Sequence, residues 1–392
     1  MKKINKLFLS FGFIGVLSLS IFGCNKNQDT GFELRNVTVK RFVNSISEQE
    51  MCYLLTHMPG TLDEQSNGIN VVEDEDEIFG QYEIEFSLTE DYQKSFKLYS
   101  RRNKIETRGL IPGKKYYYRI NKYDYPDIYI KSGVLETKSG PGTFYTVEGM
   151  HNVRDLGGWK AENGKKINFD KIIRGGRTNA FEDYPYYTDE GYDVLTKSLG
   201  IKGEIDLRNS GDNYGQTHNF INEEYPYLLA PLSIDAEILP DFKQTEPVAR
   251  RFNSNMPSTI KSIFSFLADE TNYPVYVHCN AGADRTGTIC MVIEGLLGVS
   301  VNDIYKEFEL TSFSTYGQRW RSSIDAETMT FDPSGVMQDD NNNYVALGKC
   351  VNMLWNTYAP NGTYQEAVTN YLKSVCNVTD EEINSFKNIM LG

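Results

Sequence analysis

Histidine is scarce in this chain. Four are present in 392 residues, His57, His151, His218 and His278, and no two stand at H-x-x-x-H spacing. The six cysteines show no C-x-x-C and no paired framework. A His- or Cys-built metal centre and a disulfide scaffold are both unsupported, and no cofactor is expected. Positive charge is also short. Against 53 Asp and Glu there are 40 Lys and Arg, which leaves a formal net charge of −13. Nucleic acid is not an expected partner of such a surface. Tryptophan is rare, but 26 Tyr and 21 Phe supply aromatic bulk for packed cores. The length allows two or three domains.

One extended apolar run is present, residues 7–22, and it follows Lys2, Lys3 and Lys6. Charge followed by an apolar run is the order of an export signal, and the run is short for a bilayer span of about 20 residues. It ends in Ile21-Phe22-Gly23-Cys24. A cysteine directly after a small residue at this place looks like a lipoprotein cleavage site. Residues 1–23 are therefore expected to be a lipoprotein signal peptide, Cys24 the acylated first residue, and 24–30 a tether. An ordinary signal peptide and an anchor helix are the alternatives. Export follows, with lipid anchoring to the periplasmic or outer face of a bacterial membrane.

Residues 31–138 read as strands and turns. Apolar and polar residues alternate over 32–42, 81–86 and 115–120. Leu110, the Pro112-Gly113 turn and Tyr116 at the head of a strand resemble the tyrosine corner of fibronectin type III-like sandwiches. An all-β sandwich over 31–138 is expected, dispensable for chemistry. The acidic run 73–77 reads as a solvated loop rather than a calcium site, because adjacent carboxylates repel. Residues 139–145, which begin Ser139-Gly140-Pro141-Gly142, read as a linker to a second domain over 146–392.

The chemistry-bearing stretch lies in that second domain. It is His278-Cys279-Asn280-Ala281-Gly282-Ala283-Asp284-Arg285-Thr286-Gly287, with an apolar run before it and a helical run after it. Strand, tight loop and helix N-terminus in this order gather backbone N–H groups toward an anion, and the helix dipole adds positive potential. Asn280, Ala281, Gly282, Ala283, Asp284 and Arg285 can cradle a phosphate, with the Arg285 guanidinium on two oxygens. A thiol at the base, Cys279, is pushed toward thiolate.

This stretch resembles the signature loop of cysteine-dependent protein tyrosine phosphatases. Within them it is most similar to an atypical bacterial group whose loop reads HC-x-AGKDRTG, with Ala283 in place of the usual Lys. Other segments follow the group's order. Asn152-Val153-Arg154-Asp155-Leu156-Gly157-Gly158 is similar to its N-x-R-D-L-G-G opening. Residues 172–178 and 199–208, the latter ending Asp206-Leu207-Arg208, are similar to its next two segments. The resemblance implies an α/β phosphatase domain, a central, mostly parallel sheet flanked by helices.

The resemblance also implies a two-step mechanism without a metal. Cys279 attacks phosphorus, Arg285 and the loop hold the oxygens, Thr286 bonds the thiolate, and a carboxylic acid protonates the leaving oxygen. The group carries that acid just before the arginine, here Asp284. Asp235, after an apolar strand, is the second candidate and Asp206 the third. His278 is expected to orient the loop. Arg154 and Asp155 are expected to pair near it, and Asp206 and Arg208 to line the pocket or brace the loop. Ala283 removes a charge that would serve a second phosphate, which favours phosphotyrosine over phosphoinositides or inositol phosphates. The expected partner is a phosphorylated protein or a small phosphomonoester. A rhodanese, an arsenate reductase and a non-catalytic phosphate- or glycan-binding lipoprotein are the competing readings. Residues 312–343, with Arg319, Trp320 and Arg321, read as a lid or an exposed insertion. Pairing of Cys350 with Cys376 stays open.

Overall fold

Asn36 opens a helix where alternation predicts a strand. The computed structural model describes residues 31–392 apart from 59, 63–66, 72–80, 102–103, 182–183, 233–255, 316–323, 326, 332–335, 339–342 and 346, and this part of the chain clusters as one unit. The expected signal peptide, Cys24, the tether, the acidic run 73–77, Asp235 and residues 319–321 lie outside the described residues. Helix α1 (Val37–Asn44) is capped by Asn36, whose side chain accepts from the Thr38 N–H at 2.8 Å. Helix α2 (Glu48–His57) is capped by Ser47. Val39, Phe42 and Val43 stand at helical i, i+3, i+4 spacing, and all three are buried. Over so short a run, two-residue alternation and helical spacing overlap, and the caps decide. The segment 31–138 is therefore not all-β.

Six strands follow: β1 (Gly68–Asn70), β2 (Tyr82–Ser87), β3 (Ser95–Ser100), β4 (Lys104–Glu106), β5 (Lys115–Lys122) and β6 (Tyr125–Glu136). Four form an antiparallel sheet in the order β3-β2-β5-β6, and β1 pairs with β4 beside them. The buried Tyr116 hydroxyl accepts from the Ile111 N–H at 2.9 Å, across the Pro112-Gly113 turn. Residues 139–145 are packed. The Pro141 carbonyl accepts from Arg35 at 3.2 Å, and the Thr143 carbonyl from the Asp155 N–H at 3.0 Å.

The remaining chain builds the sheet that carries the signature loop. Its strands are β7 (Arg154–Asp155), β8 (Ile172–Gly175), β11 (Gly203–Asp206), β12 (Tyr227–Leu229) and β13 (Val275–His278). A short hairpin, β9 (Asn179–Phe181) and β10 (Tyr184–Pro185), and a short helix, α3 (Asp189–Asp193), intervene. The order is β12-β11-β13-β8-β7, parallel throughout except for β7. Strands buried on both faces need cover on both. Ile172, Ile205, Val275 and Val277 share a cluster with helices α4 (Met256–Leu267), α5 (Asp284–Leu296), α6 (Val301–Glu309), α7 (Leu347–Tyr358), α8 (Tyr364–Ser374) and α9 (Asp380–Leu391). Helices α1 and α2 belong to the same cluster. The opposite face, with Ile173 and Tyr276, joins Ile84, Phe86 and Tyr116 of the four-stranded sheet. Helices thus cover chiefly one face.

Register fixes the site. Asp206 lies opposite His278, and His278 opposite Gly175, so the loops after β8, β11 and β13 leave one edge. Ligands of parallel sheets bind at such carboxyl ends. Among the described residues no helix is long and apolar enough to cross a membrane, and Cys350 and Cys376 are free, buried thiols.

Candidate active site

Strand β13 is buried from Val275 to His278, and the loop that follows places Cys279 at its floor, 3% exposed. The turn needs glycine at 282. Gly282 has φ +64°, and a Cβ there would overlap the Gly175 carbonyl. Helix α5 begins at Asp284 with no side-chain cap, which leaves its first N–H groups for an anion. Gly287 lets the Phe308 ring lie against the helix.

The loop carbonyls are held from outside. The Asn280 carbonyl accepts from the Arg177 N–H at 3.0 Å. The Asn152 amide donates to the Ala281 carbonyl at 3.0 Å and to the Gly282 carbonyl at 3.2 Å. Arg174 also donates to the Gly282 carbonyl. In a trans peptide the next N–H points the opposite way, so these bonds aim N–H groups of 281–283 together.

Arg285 donates to the Asp212 carboxylate at 2.7 Å and to the Leu207 carbonyl at 3.4 Å. Burial works against its charge. The Cys279 sulfur and Asp212 outweigh burial, and the guanidinium is held above its ordinary range. The same Asp212 oxygen accepts from the Asn280 amide at 3.0 Å, so one carboxylate ties both ends of the loop. The Thr286 hydroxyl is buried and has no hydrogen-bond partner, so the expected bond to the Cys279 sulfur is not made. Asp284 is half-buried in the first turn of α5.

His278 and Glu204 are fully buried and meet at 2.8 Å, Nε2 to Oε1. Glu204 also accepts from the Gln216 amide at 2.6 Å and the Phe220 N–H at 2.8 Å. Asp206 and Arg208 pair with each other at 2.8 Å, both wholly buried. They brace the end of β11 and do not line an open pocket. Burial and the Arg208 pairing make Asp206 unsuited to protonate a leaving group. Burial raises its pKa, but the nearby His278 and Arg208 hold the carboxyl below its ordinary value.

Arg154 and Asp155 do not pair with each other. Arg154 turns to Glu307 at 2.8 Å and to Asn152. Asp155 accepts from the Tyr145 hydroxyl at 2.6 Å and from the N–H groups of Gly157 and Asp170. Successive residues of a strand point to opposite faces, which separates the two charges. Burial pushes the Asp155 carboxyl up to about 6. Burial and the Asp155 charge push Asp170 up to about 7.

Asn152, Arg174 and Asp212 are among the residues of this site that the sequence left unassigned. Asn152 and Arg174 lie inside segments singled out above, and their partners become visible only in the fold. Asp212 sits in a polar loop with nothing in its spacing to mark it.

The model of the tyrosine phosphatase family matches residues 145–392. A tyrosine-protein phosphatase of Nostoc commune is 26% identical over 216 residues, 52% of this chain and 70% of that protein. A putative tyrosine-protein phosphatase of Cupriavidus necator is 22% identical over 184 residues, 42% of this chain and 64% of that protein. Among solved structures, the core catalytic domain of a yeast PP-IP phosphatase in complex with citrate matches with 17% identity. It covers 40% of this chain and 78% of that one at a TM-score of 0.24.

Proposed function

The chain belongs to the tyrosine phosphatase family and is a phosphatase, and we propose that it hydrolyses phosphate monoesters, phosphotyrosine foremost, through a phospho-cysteine on Cys279. One observation carries this reading. Cys279 lies at the floor of a loop whose carbonyls are tied outward, with Arg285 at its rim and an uncapped helix start behind it.

In the first step the Cys279 thiolate attacks phosphorus and the ester P–O bond breaks. The electron pair leaves on the oxygen, which takes a proton from Asp284. Arg285 and the N–H groups of 280–285 hold the equatorial oxygens, whose charge the loop meets without a metal. In the second step water attacks phosphorus, its proton returns to Asp284, and the P–S bond breaks to free phosphate and thiolate. Asp235 is the second candidate for the acid. His278 orients the loop through Glu204. Ala283 brings no charge for a second phosphate, which supports monophosphate esters over phosphoinositides. Export and anchoring through acylated Cys24 place this activity at a membrane surface.

Hydrolysis of p-nitrophenyl phosphate, a phosphotyrosyl peptide, a phosphoseryl peptide, a phosphoinositide and inositol hexakisphosphate, each with EDTA present, tests the reading. Phosphotyrosyl peptide is expected to lead. Preference for the lipid or inositol phosphate overturns the substrate assignment, and loss of all turnover in EDTA overturns the mechanism. Fatty-acid labelling that marks the wild type and spares Cys24→Ala tests the anchor.

A further inference from the structure

Behind the loop lies a fully buried group of charges that the proposed chemistry does not use. Glu307, on α6, accepts from Arg154 at 2.8 Å with one carboxylate oxygen and from Arg174 at 2.7 Å with the other. All three side chains are at most 2% exposed. Burial raises the Glu307 pKa, but the two guanidiniums outweigh it and hold the carboxyl below its ordinary range. Buried ion pairs seldom add net stability over apolar packing, so an arrangement of three asks what else it does.

We propose that Asn152, Arg174 and Glu307 are positioning residues that aim the N–H groups of the catalytic loop at the substrate oxyanion. The inference rests on the reading of 279–285 as the phosphate cradle. Arg174 spends one terminal nitrogen on Glu307 and the other terminal nitrogen on the Gly282 carbonyl. Asn152 donates to both the Ala281 and Gly282 carbonyls and accepts from Arg154, which Glu307 also holds. Each of the two ion pairs of Glu307 therefore leads to a peptide of the loop, directly through Arg174 and by way of Asn152 through Arg154. Fixing the Gly282 carbonyl fixes the Ala283 N–H on the opposite side of the same plane. Fixing the Ala281 carbonyl does the same for the Gly282 N–H.

Glycine at 282 makes these two peptides the most rotatable of the loop, so they most need an outside hold. Donors that are already aimed need no reorganisation when charge develops on phosphorus. The anchor is itself rigid. Beside Glu307 on α6, Lys306 donates to the Val43 and Ser45 carbonyls at 2.9 and 2.8 Å, and Phe308 packs on Gly287.

The test compares the full chain with Arg174→Lys, Glu307→Gln and Asn152→Gly on p-nitrophenyl phosphate. Inhibition by orthovanadate, which occupies an oxyanion cradle, is measured alongside. Each variant is assayed well below its own Tm. Arg174→Lys and Glu307→Gln are expected to lower kcat/KM by about 10- to 100-fold and to raise the vanadate Ki by at least about tenfold. If both are too unstable to purify, Asn152→Gly decides. It tolerates the φ of +60° at 152 and leaves the three charges in place. It is expected to move both quantities by about three- to tenfold. A folded variant that loses Tm while kcat/KM and vanadate Ki stay within about threefold shows a merely structural role and overturns the proposal. Wild type without turnover sinks the cradle reading instead, which separates the two failures.

Discussion

Arg285 owes its place to Asp212. The carboxylate takes the guanidinium at 2.7 Å and the Asn280 amide at 3.0 Å, so it closes the mouth of the loop from the β11 side. The pair is partly open to solvent, and screening limits its worth to stability to about 1 kcal/mol or less. Its value is geometric. Asp212→Asn is expected to leave Tm nearly unchanged while kcat/KM for p-nitrophenyl phosphate falls about tenfold, and unchanged kcat/KM would remove the positioning role. Arg285→Lys keeps the charge and loses the planar fork, and turnover is expected to fall by orders of magnitude. Cys279, Gly282 and Arg285 were legible in the sequence because a tight loop confines them to one contiguous string. Asp212 and Glu307 were not, because their partners stand 73 and, for Arg174, 133 residues away. No local spacing records such a contact.

Helices α1 and α2 show what an element adds beyond its pattern. Alternation over 32–42 predicts a strand, but the Asn36 cap and the 39, 42, 43 spacing turn the segment into a helix. The burial of its apolar face is tertiary. Phe42 meets Phe313 edge-on at 5.2 Å, and Lys306 closes the C-terminal carbonyls of α1. Each large side chain removed from that cluster costs on the order of 2 kcal/mol. A chain beginning at Gly142 therefore exposes the side of α6 that carries Lys306, next to Glu307. Against the expectation of a dispensable sandwich, that shortened chain is expected to melt lower and to lose turnover with it. A stable, fully active 142–392 fragment would show the N-terminal segment to be a spacer. Strand β13 was more legible, since a short apolar run before a functional loop has few other places to go. The sheet's second cover, the four-stranded N-terminal sheet, was not legible, because nothing in either segment names the other.

Across the whole molecule, the junction of the two sheets titrates. Asp155 and Asp170 sit side by side near Tyr145, with pKa values raised from 3.8 to about 6 and about 7, chiefly by burial. Raised carboxyl values mean that the folded state holds protons the unfolded state has released. This stabilisation is complete below about 4 and is lost as pH climbs through 6 and 7. Tm is expected to decline over that window. Asp170→Asn removes the like charge at a left-handed residue that Asn tolerates, and it is expected to flatten the decline. An unchanged Tm–pH curve in the variant would exclude this pair as its source.

The proposed chemistry passes through a covalent intermediate on one cysteine, and rapid acid quench traps that species. The full chain is mixed with a radiolabelled phosphotyrosyl peptide in EDTA, quenched within the first turnover, digested and mapped by mass spectrometry. One phosphoryl group is expected on the peptide that holds Cys279 and none in Cys279→Ser. Label on another residue, or turnover that persists in Cys279→Ser, would contradict that chemistry.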